Sequence, residues 1–174
     1  MSVLARTGRV ARPRHRRTGV DVAPAPPLLV VAGCHGGAGA TTVATLLQPA
    51  IDIGVVADWP RYAASRGFAG RPLVLVARGT VQAVAVAGRV TAAANAAQVH
   101  PAGLVVVADG PLPEPRGVTQ RLRLLAAHTP VYRLPYVTRW RYVTDPLHGG
   151  IPAPLAAAAT AARSALNAEG DIHP

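Results

Sequence analysis

The residues most suited to chemistry lie in one short stretch, Cys34-His35-Gly36-Gly37-Ala38-Gly39-Ala40-Thr41-Thr42, between an apolar run and a helical pattern. Glycine lets a backbone turn tightly and approach a ligand closely. Successive backbone N–H groups in such a turn converge on an anion, and the start of a following helix adds a favourable dipole. The chemistry on offer is phosphate binding. Gly36, Gly37 and Gly39 would shape the cradle, Thr41 and Thr42 follow it, and His35 could be a further phosphate contact. Two carboxylates end later apolar runs: Asp58 follows Ile53 to Ala57, and Asp109 follows Leu104 to Ala108. Ligands of open α/β sheets gather at the carboxyl ends of strands, so both could face the loop; each could equally cap a turn. Asp52 precedes its run and is expected at the opposite edge of the sheet.

The stretch resembles the deviant Walker A of the MinD/ParA family, Lys-Gly-Gly-x-Gly-Lys-Thr-Thr. Gly36, Gly37, Gly39, Thr41 and Thr42 match it. The resemblance implies that ATP or GTP binds with Mg²⁺, that the backbone from Gly37 through Ala38, Gly39, Ala40 and Thr41 to Thr42 wraps the phosphates, and that the Thr41 hydroxyl meets the metal. It also implies an acid near Asp58 on the metal side. Asp109 looks like the position where the family places an Asn beside the base, and Val131 to Tyr136 like its strand ending in Ile-Pro. The departures are as specific. His35 stands for the signature lysine, Cys34 for the first glycine of an ordinary loop, and Ala40 for the lysine that reaches the β- and γ-phosphates. Every one of the 18 basic residues is arginine, so no lysine elsewhere can substitute. Loss of one stabilising donor of this kind costs on the order of 10²–10³ in rate, which predicts weak or absent turnover. The stretch between the loop and Leu73 is also short for a full family member, leaving a Walker B acid and a switch region in question. The layout further resembles uncharacterised P-loop-like proteins of high-GC Gram-positive bacteria. The alternative to a cradle is a vestigial tight turn that binds nothing.

Positioning this loop requires a sheet. Apolar runs at Leu28 to Ala32, Ile53 to Ala57, Leu73 to Ala77, Leu104 to Ala108 and Val131 to Leu134 read as buried strands. Helical stretches alternate with them: Thr41 to Leu47, Val81 to Ala97 with Thr80 as cap, one opened by Pro115 with Val118, Leu122 and Leu125 on a face, and Ala153 to Leu166 with Gly170 beyond its end. The alternation predicts an α/β, Rossmann-like three-layer sandwich with a mostly parallel sheet of about five strands. At 174 residues the chain suits one such domain, from residue 28 to 174.

Residues 1 to 27 differ. Arg6, Arg9, Arg12, Arg14, Arg16 and Arg17 precede Ala23-Pro24-Ala25-Pro26-Pro27, and six arginines against Asp21 give +5 of the chain's formal +10. This predicts a disordered basic arm and proline linker, either a contact for DNA or an acidic protein or a solvated extension. The lone Cys34 excludes an intrachain disulfide and fits a reducing compartment. No signal peptide and no membrane span are expected, so the expected location is cytoplasmic. Cys34 is either a reactive thiol or a small residue fitting the turn. Arg139-Trp140-Arg141-Tyr142 either stacks on a partner or packs its ring under a loop. Three functions follow: a MinD/ParA-like nucleotide-binding regulator or adaptor with weak or no turnover, a nucleotide-free DNA- or protein-binding module using the arm, or a slow NTPase with an arginine in place of the lysine.

Overall fold

Valine and leucine runs too apolar to face water on either side become the central strands of a parallel sheet. The computed structural model describes residues 28–65 and 70–170; the basic arm and its six arginines lie outside them. The strands are β1 (Leu29–Gly33), β2 (Ala50–Val55), β3 (Leu73–Arg78), β4 (Gly103–Val107) and β5 (Val131–Leu134). All pairings are parallel, in the order β2-β1-β3-β4-β5. The helices are α1 (Ala40–Leu46), α2 (Trp59–Ala63), α3 (Val81–Ala96), α4 (Arg116–Ala126) and α5 (Ala153–Gly170), with a 3₁₀ turn at Thr138–Tyr142.

Side-chain alternation divides the sheet into two cores. Leu29, Val31, Val74, Val76, Val105 and Leu134 pack beneath α1 and α5. Val30, Ala32, Leu75, Ala77, Leu104 and Val106 face the other way, with Val84 and Ala87 of α3 and Val118 and Leu122 of α4. The three-layer sandwich expected from the alternation of runs is therefore the observed architecture. Thr80 caps α3 as expected, its hydroxyl accepting from the Ala83 N–H at 3.1 Å. Arg163 of α5 donates to the carbonyls of Leu47 and Pro49 at 2.8 and 3.1 Å, tying α5 to the turn between α1 and β2.

Most bounds agree to within a residue; β2, α2 and α5 differ by more, and the 3₁₀ turn at Thr138–Tyr142 is not expected from the sequence. β2 begins at Ala50, directly after the Leu29 N–H bonds to Pro49, rather than at Ile53. The run Ile53 to Ala57 misplaces it because β2 is an edge strand and need not be apolar on both faces; Gly54, at φ +72°, lies within that run. Asp52 therefore lies inside β2, paired in register with Val31, and not at the opposite edge of the sheet. The helix α2 was not expected, although Asp58 caps it and Pro60 sits in its first turn. Finally, α5 continues through Gly170 instead of ending before it.

Candidate functional site

β1 and β3 are neighbours although β2 separates them in sequence. The chain leaves β1 toward α1 on one face and β3 toward α3 on the other, which opens a crevice at their carboxyl ends, the usual ligand position in such sheets. The glycine loop fills the β1 side of that crevice. Gly37 and Gly39 adopt φ of +73° and +93°, the left-handed region that glycine enters without steric cost. Nothing approaches within 4 Å of where a Cβ would stand on Gly36 or Gly37, so this side of the loop is open. Its base is fixed by the Cys34 N–H, which donates to the Val76 carbonyl at 2.8 Å, and by the Val43 N–H to Gly39 at 2.9 Å.

Each expected residue has a definite place. His35 is engaged within the chain at both ring nitrogens: Nδ1 lies 2.9 Å from the Gly36 carbonyl, and Nε2 accepts from the Arg78 backbone N–H at 3.4 Å. One neutral tautomer satisfies both contacts. Ala38 is buried beneath the loop, and Ala40 opens α1, where Thr42 lines the adjoining cavity. The Thr41 hydroxyl donates to Asp52 Oδ2 at 2.6 Å, while Asp52 Oδ1 accepts from the Gly54 N–H at 2.8 Å. Pairing of Leu29 with Ala50 and Val31 with Asp52 explains this, because it turns Asp52 toward the face that α1 covers. Asp58, the acid expected on the metal side or as a turn cap, accepts from the Arg61 N–H at 3.0 Å and caps α2. Asp109 stands two residues past β4 and meets Arg78, Nη1 to Oδ1, at 3.5 Å.

Sequence reasoning misses Arg78 altogether and sets Asp52 aside at the opposite edge of the sheet. Arg78 closes β3, and its Nε–H donates to the Gly37 carbonyl at 3.2 Å. A usable signal existed: two residues past Val76, its side chain must leave the sheet on the loop's side. Beside the loop is a cavity of about 380 Å³ lined by Thr42, Arg78, Asp109, Leu134, Trp140 and Arg141, among others. Trp140 packs against the core under α5, whereas Tyr142 is 80% exposed, so the Arg139 to Tyr142 cluster divides between packing and surface.

Burial favours reading Cys34 as a small residue fitting the turn rather than as a reactive thiol. It is 3% exposed, and burial pushes its pKa up to about 12, against a smaller lowering from the Val76 backbone contact. Among the described residues no group of three or more His, Cys, Asp or Glu side chains could hold a metal ion. Hard cations do not need such a cage when a ligand's phosphates supply oxygens. Mg²⁺ is commonly held by one or two carboxylates together with phosphate and water, and the hydroxyl–carboxylate pair of Thr41 and Asp52 has the oxygen chemistry for that. No helix among the described residues is long and apolar enough to cross a membrane. No family model matches the chain, and no curated protein matches it.

Proposed function

We infer that the chain binds the phosphates of a nucleoside triphosphate, ATP or GTP, at the glycine loop together with Mg²⁺. It turns the nucleotide over weakly or not at all and acts as a nucleotide-responsive regulator or adaptor in the cytoplasm. The observation that carries this is an open glycine turn leading into α1, whose Thr41 hydroxyl lies 2.6 Å from a carboxylate oxygen of Asp52. A hydroxyl and a carboxylate side by side at such a turn suit a phosphate-bound Mg²⁺. Asp52, rather than Asp58, would share the metal with Thr41. The metal would neutralise phosphate charge, while the chain's own groups orient the ligand: backbone N–H groups of the loop toward the phosphates, and the apolar walls of the cavity toward the base. The resemblance to the MinD/ParA loop supports the same ligand class. Ala40 in the lysine position supports slow or absent hydrolysis.

Calorimetric titration of the full chain with Mg·ATP and Mg·GTP tests this. Saturable binding to the wild type is expected. Thr41→Val should remove its Mg²⁺ dependence while the fold, read by circular dichroism, is unchanged. Equal Mg²⁺-dependent binding by both proteins would move the metal elsewhere. Absence of any binding would leave the arm-borne DNA- or protein-binding module as the better account.

A further inference from the structure

Arg78 touches the loop from a different strand. As the last residue of β3 it follows the alternation that buries Val74 and Val76 beneath α1 and α5, so its side chain emerges on that face. Its guanidinium spans from the Gly37 carbonyl, 3.2 Å from Nε, to Asp109 Oδ1, 3.5 Å from Nη1. A guanidinium has five N–H donors. Two make these contacts, and the remaining three meet no acceptor among the described residues, at the wall of the 380 Å³ cavity. The pair with Asp109 is long and half exposed, 42% and 54% at the two side chains. Contacts of that kind are weak and readily exchanged for a better-placed anion. A phosphate offers a guanidinium two oxygens at once, which a single long carboxylate contact does not.

We propose that Arg78 is the phosphate-binding cation of this site, taking from β3 the role of the lysine missing at Ala40. Asp109 is its resting partner: it pairs with the guanidinium while the site is empty and competes with the incoming phosphate for it. The proposal rests on the loop being a phosphate cradle. It gives Asp109 a different task from the base contact implied by the resemblance, and the two tasks separate experimentally because inorganic pyrophosphate has no base.

The test is calorimetry of the full chain with Mg·pyrophosphate and Mg·ATP. One charge-assisted contact corresponds to roughly ten- to a hundredfold in affinity, so Arg78→Gln should weaken both ligands by at least about tenfold. Asp109→Asn should tighten pyrophosphate several-fold, since the competing carboxylate charge is gone. The double variant Ala40→Lys with Arg78→Gln should return to within about threefold of wild type. That rescue separates a cation role from mere bracing of Gly37, which a lysine at position 40 would not restore; it also keeps the test decisive if Arg78→Gln loosens the loop. Wild-type binding with an unaffected Arg78→Gln, or with no rescue, overturns the proposal and leaves the nucleotide-binding function standing. Weaker pyrophosphate binding by Asp109→Asn overturns the role given to Asp109. A wild type that binds neither ligand overturns both the proposal and the function beneath it.

Discussion

Ala40 stands, in the function proposed here, where a nucleotide-hydrolysing loop carries a lysine. Placing a lysine there should produce opposed shifts. The added charge meets the partly positive end of α1 when the site is empty, so Ala40→Lys should lower the unfolding midpoint slightly. With nucleotide present it gains a partner, and affinity should rise roughly ten- to a hundredfold. A protein that folds normally but shows no gain for ATP or GTP would mark the loop as a structural turn. Cys34 supplies a second residue-scale prediction. Burial raises its folded pKa to about 12, above the ordinary thiol value of 9.0. Between those values the unfolded chain releases a proton that the folded chain keeps, so stability is full below pH 9 and falls as pH rises toward 12. Cys34→Ala should flatten that fall in denaturant titrations; an identical pH profile would assign it to other groups. At this scale the sequence was most informative where residue type alone carries meaning, as at Gly37 and Gly39. It was least informative for Arg78 and Asp52, whose importance comes from partners 41 and 11 residues away.

Among the elements, β4, β5 and α5 meet at Gly103. A Cβ there would stand 2.7 Å from Tyr132 Cε2 and 2.9 Å from Leu166 Cδ2. Leu166 is fully buried, and the Tyr132 ring is packed against the core cluster it belongs to. Gly103→Ala therefore overpacks the seam and should cost about 1–3 kcal/mol, read as a lower denaturation midpoint, with nucleotide affinity unchanged because the seam lies at the opposite end of β4 from the loop. A neutral effect would show that α5 shifts freely against the sheet. β5 was legible to the residue and α3 to within one, because a buried run and a Thr cap are local signals. β2 was misplaced by three residues at its start because an edge strand mixes Asp52 and Gly54 into its apolar pattern. The short α2 was overlooked although Asp58-Trp59-Pro60 is a legible helix start: Trp59, 6% exposed, anchors it by packing on the core, which no local rule reports.

For the whole molecule, what could be read was the class of fold, since alternating strands and helices imply a parallel sheet covered on both faces. What could not be read was the order β2-β1-β3-β4-β5, which depends on which strands pair across long separations. That order places the site. It sets β1 beside β3, so that the glycine loop, Arg78 and Asp109 share one crevice, while β2 on the far side of β1 brings Asp52 to Thr41. Local sequence shows the loop; the arrangement of strands supplies its charges. The central claim is that nucleotide phosphates bind in this crevice, and a titration of the ¹⁵N-labelled full chain with Mg·ATP or Mg·GTP, followed by amide chemical shifts, tests it most directly. The account predicts saturable shifts concentrated at Gly36 through Thr42 and at Arg78 and Asp109, with the α3–α4 face largely unmoved. Shifts confined to other surfaces, or none at saturating nucleotide, would contradict it.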